Sequence, residues 1–427
     1  MRTIALLVTL CTLMLQAAAL KWEDDAGFRS AALQVQSTGR ERFTQVHPSV
    51  SGVNFSNRLS LQRVFANHNL MNGSGVALGD FDGDGWCDIY LCNLEGANAL
   101  YHNRGNWTFE DVTLAAGVGC TNQASTGAVF ADVNGDRKLD LIVTAMGGPN
   151  SLFINQDNGK FVDIAASAGI SSRYGAMSMT LADIDSNGTL DLYIANYGAT
   201  SIIRSGGALN VTYVNGKPVV RGRYAHRIQI IGDTMFELGE PDALYLNDGT
   251  GKFKPVSWSD GTFLDEEGRP LKEAPWDQGL SVMFRDVNGD RAPDIYVCND
   301  AFTPDRFWIN DGKGKFRAIN RLHWRSTSHF SMGVDFADFD RDGDDDFFVL
   351  DMLSREHGYR LTQKGNMPPE PRQPGDLLLR PQMRRNTLRN PVFLFQSGAV
   401  DRQSMTTVCA PQQVNASRKI EQIYSAG

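Results

Sequence analysis

The chain has 427 residues, 42 of them glycine, with 21% charged residues; this leaves ample material for a large core and suits an all-β protein rich in tight turns. A formal charge of −8 excludes a broadly basic surface for nucleic acid or anionic membrane. Five cysteines past residue 19 with no Cys-x-x-Cys pair exclude a zinc ribbon or a dithiol redox centre.

The N-terminus reads as a secretory signal peptide, residues 1–19: Arg2, an apolar run from Ile4 to Leu15, then Ala17-Ala18-Ala19. That run is too short to span a bilayer, which takes about 20 residues, so we expect a secreted or periplasmic protein. Residues 20–41 form a polar, unpatterned leader. From 42 to 396 the text is strand-like.

Its organising unit is Asp80-Phe-Asp82-Gly-Asp84-Gly-Trp86-Cys-Asp88. Carboxylates at positions 1, 3, 5 and 9, with the backbone carbonyl at position 7, make a hard, oxygen-rich set of the kind calcium prefers. The pattern returns four times. The second loop offers Asp132, Asn134, Asp136, Lys138 and Asp140, and the third Asp183, Asp185, Asn187, Thr189 and Asp191. The fourth offers Asp286, Asn288, Asp290, Ala292 and Asp294, and the fifth Asp338, Asp340, Asp342, Asp344 and Asp346. Position 12 carries an apolar residue, not the glutamate of an EF-hand. Positions 1, 3, 5 and 9 of the loops hold 17 of the 49 acidic residues, and five bound calcium ions would bring the net charge to about +2. Loops with four carboxylates, the first and last, should bind more tightly than those carrying an asparagine.

Short β-branched and aromatic runs flank every loop, so each loop joins strand to strand. Downstream lies a hairpin signature: Leu100-Tyr-His-Asn103 with Phe109, Leu152-Phe-Ile-Asn155 with Phe161, Leu244-Tyr-Leu-Asn247 with Phe253, and Phe307-Trp-Ile-Asn310 with Phe316. First aspartates fall 52, 51, 103 and 52 residues apart. The long interval contains an insertion, about 198–239, that reads either as a metal-free blade or as an excursion. Four-stranded units of about fifty residues fit β-propeller blades, and the chain suggests five to seven of them, in a ring that is either closed or incomplete. Past Leu353 a proline-rich stretch leads to a strand at Val392–Phe395, and 397–427 reads as a divergent or truncated final segment. Cys92 and Cys120 could form a disulfide or remain buried thiols.

The Asp loops and their hairpins resemble FG-GAP/VCBS repeats, the units of integrin-like propellers. More narrowly, Asn72-Gly-Ser-Gly-Val76, Gly105-Asn-Trp-Thr-Phe-Glu-Asp-Val112, Ser331-Met-Gly-Val-Asp-Phe-Ala-Asp-Phe-Asp340 and Asp351-Met-Leu-Ser-Arg355 look like the cartilage acidic protein (ASPIC/UnbV-type) family. The resemblance implies calcium at the Asp and Asn positions named above. It also implies a binding scaffold for protein or glycan partners through a loop face, without catalysis. The family often continues into an ASPIC/UnbV module, before which this chain stops, so the resemblance implies no nucleic-acid role here. The alternative is an enzyme at the channel mouth, with His323, Arg325 and His329 near Asp300 and Asp305 as the best cluster. Neither His-Glu-x-x-His nor Gly-x-Ser-x-Gly occurs to support it.

Overall fold

The computed structural model describes residues 44–352 apart from 204–208, 232–233, 301–302, 321–327, 329 and 339–343, together with strand residues 23–25, 28–30, 393–397 and 407–409. Two compact units result, Met1–His47 and Pro48–Gly427. In the first, Glu23–Asp25 pairs antiparallel with Phe28–Ser30 inside the stretch expected to be an unpatterned leader. The signal-peptide assignment lies outside the described residues.

The second unit is an all-β propeller. Its first sheet is an antiparallel meander of Val76–Gly79, Asp88–Leu91, Ala99–Asn103 and Phe109–Asp111. The second repeats the order with Ser125–Ala131, Asp140–Ala145, Ser151–Asn155 and Phe161–Asp163. In the third, Ala176–Ala182 and Asp191–Asn196 are followed by Ala243–Asn247 and Phe253–Pro255. The insertion is therefore an excursion between the second and third strands of one sheet. It carries two separate hairpins, Asn210–Val214 with Lys217–Arg221 and Ile228–Ile231 with Thr234–Glu237.

The fourth sheet, Gly279–Arg285, Asp294–Asn299, Arg306–Asn310 and Phe316–Ala318, gains Phe263–Leu264 as a parallel fifth strand. The fifth pairs Ser331–Ala337 with Asp346–Asp351, then adds Phe393–Ser397 in parallel and Thr407–Cys409. This last sheet runs past the domain end expected at residue 396.

First strands of successive sheets lie side by side, from Val76–Gly79 through Ser125–Ala131, Ala176–Ala182 and Gly279–Arg285 to Ser331–Ala337. Why the sheets stack is visible in the second strands, which are buried on both faces. Side chains alternate across a strand, so Leu141 and Val143 join the core shared with the first sheet while Ile142 joins that of the third. Leu192 and Ile194 likewise face back, and Tyr193 and Ala195 face forward. Each such aliphatic side chain contributes about 1.5–3 kcal/mol on burial, which the solvated strands of an isolated sheet could not gain.

Every inner strand from the second sheet onward breaks register near its start, around Thr126, Met177, Leu280 and Met332. Bulges re-aim side chains. Here the bulged residues, with Asn72, Gly73 and Ser74, line one cavity of about 210 Å³. The turn His68–Asn72 lies over this end, with Leu70 buried among Leu94, Ala124, Met146 and Met177. It also reaches the third sheet: Asn67 Nδ2 donates to Ala199 O and Asn69 Nδ2 to Gly198 O, both at 2.9 Å.

A buried lock closes the link between second and third strands. In the first sheet, Asn98 accepts Asn93 N–H at 2.8 Å and donates to Tyr90 Oη and Ser125 Oγ at 2.8 and 2.9 Å. In the fourth, Asp305 accepts from Asn299 N, Tyr296 Oη and Ser331 Oγ at 2.8, 2.6 and 2.7 Å. Burial pushes the Asp305 carboxyl up to about 7. A carboxyl raised in the folded state stabilises fully below its unfolded value, about 3.9, and loses that contribution as pH rises through the folded value. Replacing Asp305→Asn, which copies the first sheet, should therefore flatten the fall in stability from about pH 4 to 7. Urea midpoints across that range check it; an unchanged slope would remove the assignment.

Candidate metal centres

Each Asp loop is wound by its own backbone. Asp80 Oδ1 accepts the N–H groups of Gly83 and Asp84 at 2.8 and 3.1 Å, and Oδ2 accepts Gly85 N–H at 2.8 Å. The same nest recurs around Asp132 and Asp286, and Asp183 accepts the N–H groups of Asn187 and Gly188 in the same way. Position 5 then accepts the position 7 N–H of Trp86, Lys138, Thr189 and Ala292.

For position 6 to aim its N–H inward, the backbone must adopt positive φ: Gly85 +91°, Arg137 +68°, Gly188 +86°, Arg291 +71°. A Cβ at Gly188 would meet nothing within 4 Å, so Gly188→Ala should cost only the backbone term, about 1 kcal/mol. Chemical denaturation checks this, and a neutral result would mean the turn relaxes.

Position 9 is different. Asp88, Asp140, Asp191 and Asp294 are at most 1% exposed. Their Oδ2 atoms accept the N–H of position 2 at 3.0–3.2 Å, and their Oδ1 atoms accept the N–H of Asn103, Asn155, Asn247 and Asn310. Burial raises the first three to about 6 and Asp294 to about 7, against those hydrogen bonds. A carboxylate so placed favours its proton unless a cation offsets the desolvation. In the first loop Asp80, Asp82 and Asp88, and in the third Asp183, Asp185 and Asp191, bring carboxylate oxygens within 4.8 Å of one another. The donor set therefore fits a hard divalent cation.

The second and fourth loops depart from this. Asn134 Nδ2 donates to Asp136 Oδ2 at 3.3 Å and Asn288 Nδ2 to Asp290 Oδ2 at 2.9 Å. Lys138 carries its ammonium to Asp157 at 2.7 Å. In the fifth loop Asp338, Asp344 and the buried Asp346 are described, whereas Asp340 and Asp342 lie outside the described residues.

Two features escaped the sequence reading. His102, on the third strand, sets Nε2 at 3.0 Å from Asp84 Oδ2 and 3.2 Å from Asp82 Oδ2, bracing the first loop from the side. The hairpin asparagines act as clips between sheets: besides serving position 9 of their own loop, Asn155, Asn247 and Asn310 donate Nδ2 to Phe81 O, Val133 O and Ile184 O of the preceding loop at 2.8–2.9 Å. Their recurrence was visible; their reach into the neighbouring repeat was not.

Cys92 and Cys120 are free thiols in the first-sheet core, so the disulfide weighed from the sequence is not formed here. Burial pushes them up to about 12 and about 11. Of the alternative catalytic cluster, Asp305 belongs to the fourth-sheet lock and Asp300 Oδ2 accepts Tyr197 Oη at 2.8 Å. His323, Arg325 and His329 lie outside the described residues. Among the described residues no helix is long and apolar enough to cross a membrane.

The FG-GAP-like repeat family matches residues 80–143, 132–194 and 286–349. Cartilage acidic protein 1 of Mus musculus is 35% identical over 127 residues, which are 29% of this chain and 20% of that protein. The Homo sapiens protein is also 35% identical over 127 residues, 19% of its length. The match thus spans about a fifth of these relatives. An Agrocybe aegerita lectin structure, recognising non-reducing terminal N-acetylglucosamine, aligns over 65% of this chain and 74% of its own at 17% identity and a TM-score of 0.30. Loops, sheets and repeat matches agree: this chain carries FG-GAP-like repeats in a propeller, and it is similar to cartilage acidic protein 1 over the stretch they share.

Proposed function

We propose that the protein is a secreted, calcium-binding β-propeller that serves as an interaction scaffold for a protein or glycan partner. The observation that carries the calcium part is the buried position 9 carboxylate, set among further acids in a loop wound around them. Positions 1, 3, 5 and 9, with the position 7 carbonyl, would hold the ion. Bound calcium supplies positive charge, with no change of redox state, to a turn that its own acids would otherwise push apart.

The scaffold part rests on the repeat family, on the excursion that presents two hairpins, and on the structural use of Asp300 and Asp305. Native mass spectrometry of the full chain in calcium tests the reading directly: several ions per chain are expected. A metal-free chain under those conditions would sink it.

A further inference from the structure

We infer that the insertion hairpin Asn210–Arg221 is a docking arm for a sulfated polysaccharide. This deepens the scaffold reading, on which it rests, by naming a surface and a partner class. The first observation is a charge asymmetry. Between Asp191 and Asp233 the sequence contains Arg204, Lys217, Arg221, Arg223 and Arg227 and no acidic residue, in a chain of net charge −8. Arg227 is consumed internally: it is 2% exposed and bonded to Leu238 O, Gly239 O and Glu240. Lys217, Arg221 and Arg223 are exposed.

The second observation is placement. In an antiparallel meander the links between strands one and two leave one end of the sheet, and the link between strands two and three leaves the other. The Asp loops are of the first kind and the insertion of the second. The arm therefore projects from the end remote from the protein's own densest acids, and its field is not cancelled by them beyond a screening length of about 8–10 Å.

The register supplies the third. Asn210 pairs with Arg221 and Val214 with Lys217, so Lys217 and Arg221 share one face of the ribbon, about 13 Å apart along the strand. The opposite face carries Val211, Val220, Pro218 and Tyr213, the last 73% exposed. The Arg223 guanidinium stands 5.3 Å over the Tyr224 ring, within reach of a cation–π attraction.

Spaced cations on a narrow two-stranded ribbon suit a flexible chain of repeating anions that can follow the strand. A folded acidic protein would need a complementary interface of about 1,200 Å² or more, which two five-residue strands do not offer.

The test uses the full chain in calcium on immobilised heparin, with neutral dextran, poly-glutamate and a DNA oligonucleotide as comparators. Retention on heparin at physiological ionic strength is expected, falling steeply with added salt. The K217E/R221E/R223E variant should bind at least tenfold more weakly while keeping the wild-type, calcium-dependent unfolding midpoint, which shows that it is folded. Unchanged affinity in that variant overturns the inference, as does binding to dextran, poly-glutamate or DNA equal to that for heparin. A calcium-dependent midpoint with no heparin retention removes the arm alone. A midpoint indifferent to calcium removes the calcium reading, whatever heparin does.

Discussion

Chelation of divalent cations will lower the unfolding midpoint of this protein, and calcium will restore it. A ligand that binds only the folded state stabilises by RT ln(1 + [L]/Kd), about 0.7–1.8 kcal/mol per loop when calcium stands at two to twenty times the dissociation constant. Several loops filled together correspond to a midpoint shift of about 5–10 °C. Magnesium should restore less, because it demands a smaller octahedral shell than a wide nest of carboxylates provides. Differential scanning calorimetry in chelator, calcium and magnesium separates these outcomes. A midpoint that ignores all three would show that the acids are accommodated by backbone hydrogen bonds alone.

The second large effect is expected at Asp140. Replacing Asp140→Ala removes both acceptors that serve the buried N–H groups of Val133 and Asn155, each of which then bears its own desolvation penalty. The combined loss is about 3–5 kcal/mol, and it persists in chelator because it belongs to the loop as well as to the ion. Asp136→Ala is the contrast, since that side chain is exposed. It should stay within about 1 kcal/mol of wild type in chelator yet forfeit the second loop's share of the calcium effect. Urea unfolding of both variants, with and without calcium, checks the pair. Equal losses in chelator would refute the division between a buried anchor and an exposed ligand.

The Asp loops announced themselves because each confines its functional residues to nine consecutive positions, and the strands around them because alternation survives in four to seven residues. What the sequence concealed depends on tertiary register. His102 reaches Asp82 and Asp84 only because the third strand folds back beside the loop. The clip from Asn155 to Phe81 joins residues 74 apart, a separation that local pattern cannot report. The insertion remained ambiguous for a related reason: a span of about two periods fits another blade as readily as an excursion, and only the pairing of Asp191–Asn196 with Ala243–Asn247 decides. The helical turns Thr113–Ala116 and Ala165–Ala168 were missed because four residues are too few to show a helical period.

The segment ahead of the first strand has a mechanical consequence. By joining Asn67 and Asn69 to the backbone at Gly198 and Ala199, it crosses over the second sheet and forms a brace from the first to the third. A fan of sheets held only by neighbours can splay about its hinge line. With this strut in place, splaying must break polar bonds and drag Leu70 from its apolar seat, so the first three sheets resist shear as one triangulated frame.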